Sequence, residues 1–225
     1  MNNALNALLQ SSGSSGLPVT LLLLIAALTF LPAALVLMTS FTRIIVVLGF
    51  LRSALSVQQI PPTQVLVGLA LFLTLFVMYP TATQINQVAI TPYLNGQITV
   101  QQALTAAEGP LKTFMGAQTR MSDLQLFLNY NRTPTPASIQ QVPLHDLVPA
   151  FALSELTTAF RMGFLLFVPF LVIDLVVAAV LMSLGMMMLP PVLVSMPFKI
   201  LLFVLAGGWE LVVGSLLQSF AVVTP

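Results

Sequence analysis

Four long apolar runs constrain this chain more than any motif: residues 17–38, 64–79, 160–184 and 192–223. The first two contain no charged residue, and each of the others holds one acid and one base. A helix crosses a bilayer in about 20 residues, so runs of this length read as spans or as helices buried in an assembly. Composition agrees: 58% of residues are hydrophobic and 6% are charged, against about 25% charged in soluble domains. A formal net charge of +1 gives no electrostatic case for nucleic acid.

Catalysis is excluded on residue types. The chain has one histidine and no cysteine, which rules out most metal and nucleophile constellations and any disulfide. His145 precedes Asp146, but adjacent residues do not form a dyad. Gly207 and Gly208 lead to Trp209 and Glu210 rather than to the Lys-Ser/Thr of a phosphate loop. No catalytic, cofactor-binding or metal-binding residue is expected.

Prolines, glycines and polarity divide the chain. Residues 1–16 are polar and Ser-rich without Lys or Arg, a flexible leader lacking the basic start of a secretory signal. Residues 17–80 form a first apolar helical pair, with a kink expected at Pro32, a helix start after Pro61 and Pro62, and a stop at Pro80. Residues 81–148 are polar and helical. There Thr99 and Gln102 read as a capping box, and Gly109-Pro110 predicts a break between two amphipathic helices, with Gln118 a polar lapse on the apolar stripe. Residues 131–143 read as loop. This hairpin is too small to bury Phe114 and Phe127 alone. Residues 149–225 form a second apolar pair, weakened at Gly207-Gly208.

Between those last two apolar runs lies Gly185, Met186, Met187, Met188, Leu189, Pro190 and Pro191, with no charge. Gly permits a sharp turn and the prolines cannot continue the preceding helix. A turn meeting water would be polar. An apolar turn of unbranched thioethers suits a surface that seals and yields.

Arg43, Arg52, Glu155, Arg161, Asp174, Lys199 and Glu210 lie in or beside apolar segments. Lone charges in lipid are costly, so they pair within a bundle, line an ion or proton path through Asp174 and Glu155, or are buried between packed copies. Arg43 and Arg52 would place the first connection in the cytoplasm and the middle region outside.

The stretches 39–55 (TSFTRIIVVLGFLRSAL), 61–78 (PPTQVLVGLALFLTLFVM), 154–160 (SELTTAF), 167–175 (FVPFLVIDL), 184–191 (LGMMMLPP) and 197–199 (PFK) resemble the FliP/SctR family of type III secretion export-gate proteins, with a flagellar-like SFTR at 40–43. The resemblance implies an all-α, non-enzymatic subunit with long kinked helices in hairpins and a small amphipathic periplasmic region. It implies a helical ring-like assembly of about five copies with FliQ-like and FliR-like subunits, beside FlhB-like switch and FlhA-like export proteins. Unfolded flagellar proteins would be the cargo, at the bacterial inner membrane in the flagellar basal body, with lipid at the outer belt and much of the assembly facing the periplasm. By the same resemblance Met186, Met187 and Met188 form a pore gasket, and Phe114, Phe127 and Glu155 lie at contacts between copies. Three departures from the family pattern imply rewired charge pairing: Thr157 replaces Lys, Gly207 replaces Asp, and Arg161 replaces an uncharged residue.

Overall fold

The computed structural model describes residues 25, 29, 32–34, 36–57, 60–134, 136–186 and 188–221. The leader, most of the first apolar run and Met187 lie outside the described residues.

The described residues are helical with no strand, and the all-α expectation holds. Helix α1, Phe41–Ala54, is the most enclosed, burying Arg43, Ile44, Val47, Leu48, Leu51 and Ala54. It packs on α2, Thr63–Ile85, and above all on α6, Leu144–Ser183. Helix α2 starts after Pro62, which supplies an extended entry. It does not stop at Pro80. It runs through that residue, then through a wide π-helical turn at Asn86–Ile90 into the short α3, Thr91–Leu94, a rod of 32 residues. A proline inside a helix removes one backbone donor; the hydrogen-bonded turns on both sides carry the rod past that gap.

Pro110 behaves the same way. The expected break at Gly109-Pro110 is absent, and α4 spans Val100–Gln118 unbroken. Its capping box forms as read: the Gln102 amide donates to Thr99 Oγ1 at 3.3 Å, and the Thr99 amide donates to Gln102 Oε1 at 2.9 Å. Helix α5, Met121–Tyr130, folds back from α4, and a short 3₁₀ turn at Ile139–Gln141 lies in the loop before α6. Asp146 fastens this loop by accepting from Asn131 and from Thr133 Oγ1, the latter at 3.2 Å.

Helix α6 is the spine. Its 40 residues span about 60 Å at 1.5 Å per residue, twice a hydrocarbon core of about 30 Å. Part of it must therefore stand clear of any bilayer. Its first half supplies Leu147, Ala150 and Phe151 to a core with Met115, Leu124, Leu128 and Val142. Further along, it adds Ala159 and Phe170 to the larger core of α1 and α2, joined by α7, Pro191–Leu205, and α8, Gly208–Phe220. Phe114 touches both cores and meets Phe151 edge to face at 5.8 Å. Helices α7 and α8 are bent by 65° about Gly207, whose φ is +62°, so the weak point in the last run is a true break between helices. Thr63–Leu94 and Leu144–Ser183 are each long and apolar enough to cross a membrane, and the bent pair α7–α8 qualifies together.

The α1–α6 contact depends on a missing side chain. A Cβ at Gly163 would sit 2.5 Å from the Phe50 ring and 2.9 Å from Phe50 Cβ, too close for the ring to swing away. Gly163→Ala should destabilise the protein by about 1–3 kcal/mol through overpacking, measured as thermal unfolding in detergent. Adding it to Phe50→Ala should cost less than it does in the unaltered chain, because the ring is gone and only the Cβ contact at 2.9 Å remains.

Candidate functional site: buried charges and the methionine turn

Four helices converge on one guanidinium. Arg43 lies in the first turn of α1 and is 2% exposed, while Glu155 on α6 is fully enclosed. Arg43 Nε donates to Glu155 Oε2 at 3.0 Å, and Nη2 donates to Glu155 Oε1, forming a two-pronged ion pair. Nη2 also donates to Gln118 Oε1, the last residue of α4, at 3.0 Å. Nη1 donates to the Ser219 carbonyl at 2.9 Å and to Ser219 Oγ at 3.0 Å in the last turn of α8. The plane lies 3.9 Å from the centre of the Phe220 ring. A cation at the C-terminal end of α8 also answers the carbonyls that helix leaves unpaired.

A second pair, of a buried lysine and a half-buried aspartate, joins α6 to α7. Lys199 Nζ donates to Asp174 Oδ2 at 2.7 Å and to Ser56 Oγ at 2.7 Å, while the Ser195 hydroxyl donates to Asp174 Oδ1. Ser56 reaches this position from a left-handed backbone, φ +59°, just after α1 ends. A third cluster clamps α5 to α6. Arg120 Nε and Nη2 donate to Asp123 Oδ2 at 2.9 and 2.7 Å, and Ser154 Oγ donates to the same oxygen at 2.6 Å. Burial pushes the Asp123 carboxyl up, but the Ser154 hydroxyl and the Arg120 guanidinium outweigh it and hold it below the usual carboxylate range.

The structure thus brings Arg43 to Glu155 and Lys199 to Asp174 within one chain. Glu155 is held inside the chain rather than at its surface. Phe114 and Phe127 are half-buried against the chain's own cores, since the first half of α6 covers the hairpin that could not cover them alone. Arg52 donates to Thr63 Oγ1 at 3.0 Å. Arg161 and Glu210 are exposed. Among the described residues no group of His, Cys, Asp and Glu is arranged for a metal. Gln118, Ser56, Ser195, Ser219 and Phe220 complete these sites and were not singled out for them by sequence. Only Gln118 left a signal, as the polar lapse on an apolar stripe.

The methionine turn follows from helix-end geometry. After Ser183 the Gly185 amide donates to the Met182 carbonyl at 3.1 Å, and the Met186 amide donates to the Leu181 carbonyl at 3.0 Å. Gly185 has φ +74°. These two bonds and the left-handed glycine define a Schellman stop, and Pro190 and Pro191 start α7. Between them Met186 is half-exposed and Met188 is 98% exposed, so the thioethers project away from the chain's own core.

Removing one partner of an enclosed ion pair strands the other. Arg43→Ala should destabilise the chain by about 3–5 kcal/mol. The double variant Arg43→Met with Glu155→Leu should recover most of that loss in chemical denaturation. Equal instability of the single and double variants would sink the view that stranded charge sets the cost.

The chain matches the FliP family model over residues 24–216. It is 57% identical to the flagellar biosynthetic protein FliP of Bacillus subtilis (strain 168) over 90% of this chain and 91% of that protein. It is 53% identical to the FliP protein of Pectobacterium carotovorum subsp. carotovorum, over 91% of this chain and 79% of the relative. Identity to the FliP protein of Caulobacter vibrioides is 52%, over 88% and 74% of the two chains. The family model covers the Arg43–Glu155 and Lys199–Asp174 pairs, the methionine turn and all but the last residues of the two cores, and on that extent of agreement the chain belongs to the FliP family.

Proposed function

We propose that this chain is a pore-forming core subunit of the flagellar type III protein export gate in the bacterial inner membrane. Several copies, with FliQ-like and FliR-like subunits, surround a path for unfolded flagellar proteins, beside FlhA-like and FlhB-like components. Much of the assembly faces the periplasm, and the subunit does no chemistry on its cargo. The 185–191 turn of each copy projects into the path and closes it between export events. One observation carries this reading: a charge-free turn presents Met188 almost wholly exposed at the end of a rigid helix. Apolar constrictions gate by excluding water, and thioethers repack around varied cargo.

A transporter using Asp174 and Glu155 as proton or ion ligands is less well supported. Both carboxylates are already engaged, by Lys199 and by Arg43. The groove of about 490 Å³ between α6 and α7 is lined by Val172, Ile173, Val176, Val177, Val180, Leu181, Val194 and Phe198. A site for a polar solute needs converging polar groups, and those linings have none.

Replacing Met186, Met187 and Met188 together by Ala should leave the purified multimer intact while raising the conductance of membranes that contain it to small ions. Unchanged conductance in that variant would remove the gasket assignment.

A further inference from the structure

Two exposed charges on apolar helix faces are left with neither an ion pair nor a side-chain hydrogen bond among the described residues. Of six acidic residues, Glu155, Glu108, Asp123 and Asp174 pair with Arg43, Lys112, Arg120 and Lys199. Asp146 is held by Asn131 and Thr133 beside His145. Glu210 remains. It stands exposed in the first turn of α8 among Leu205, Trp209 and Leu211, all of them exposed. On the opposite sign, Arg161 stands exposed near the middle of α6 among Phe160, Phe164 and Leu165, also exposed. Among the described residues neither Arg161 nor Glu210 forms an ion pair or side-chain hydrogen bond within the chain.

An ionised side chain on an otherwise apolar helix face is costly in lipid and is retained where a partner or cavity receives it. We propose that Arg161 of one copy pairs with Glu210 of the next, locking the exposed apolar face of α6 onto the exposed face around the α7–α8 bend. Charge complementarity selects a second copy as the occupant. Arg161 and Glu210 are of opposite sign, each exposed on an apolar helix face without an ion pair, so a single repeated contact satisfies both. Passed from copy to copy, Arg161 to the next Glu210, the contact is head to tail. Repetition then closes a ring or winds a helix. This rests on the multimeric gate proposed above and assigns it a specific contact.

The absence of cysteine makes the contact directly testable. Arg161→Cys and Glu210→Cys are introduced into the full chain, separately and together, with its export-gate partners co-expressed. Membranes are treated with a short bis-maleimide that spans an Arg–Glu pair. The doubly substituted chain should give a ladder of dimers and larger species. Co-expressed single variants should give dimers, and either single variant alone should remain monomeric. Monomer only from the double variant, or dimers from one single variant alone, overturns the pairing. Charge exchange reads the same contact without cross-linking. Arg161→Glu and Glu210→Arg should each reduce the multimer seen by native mass spectrometry at least about tenfold, and the double exchange should restore it. Undiminished multimer in both single variants overturns this pairing and leaves the gate reading standing. No multimer from the unaltered chain overturns both.

Discussion

A guanidinium without water must have every donor answered, and in this fold that requirement decides where four helices go. Arg43 is nearly enclosed and is met by Glu155 from α6, Gln118 from α4 and Ser219 from α8. The partners come from segments up to 176 residues away in sequence. Arginine suits the position because its planar fork offers several donors in fixed directions and a face that accepts Phe220. Hydrophobic burial supplies most of the driving force here, but it is non-directional. Many packings of such apolar helices bury similar area, whereas few satisfy all the Arg43 donors together. The same logic recurs at Lys199, where Asp174 and Ser56 fix α7 against α6 and the end of α1.

Much of this architecture is legible from residue types alone. Helical class follows from long apolar runs with few charges. The Thr99–Gln102 box, the turn at Gly185 and the break at Gly207 are local chemistry, and each forms where its residues stand. The misjudged positions are Pro80 and Pro110. There a local rule about one lost hydrogen bond competes with the packing of long helices, and the packing wins. Arg43 and Glu155 could be flagged as costly charges, but not matched, because nothing local links residues 112 apart. Gln118 looks like a flaw in an amphipathic stripe until Arg43 is placed beside it. The lapse is the site.

Length and surface together leave large apolar faces of the chain uncovered. Helix α6 is about twice the thickness of a hydrocarbon core. Its first half is wrapped by α4 and α5, while its second half leaves Phe164, Leu165, Leu175 and Val176 uncovered. Helix α2 does likewise with Phe72, Leu75, Phe76 and Tyr79. Apolar patches of this extent mark surfaces that meet lipid or protein. Where such a patch carries a lone arginine or glutamate, lipid is the poorer neighbour.

The placement of charge also bears on the methionine turn. A constriction that excludes water is sensitive to any nearby unpaired charge, because a charge draws water to itself. The nearest ionised pair in sequence to the turn is Asp174–Lys199, which flanks it on α6 and α7. There the two groups neutralise each other, with Ser195 and Ser56 answering the remaining oxygen and ammonium valences. That pair ties the helices on either side of the turn to each other below it, while the turn itself contains only apolar side chains. The helices on either side are held by directional bonds. In the gate proposed above, opening would rearrange thioethers at the cost of weak dispersion contacts and leave the ion pairs that define the fold unbroken.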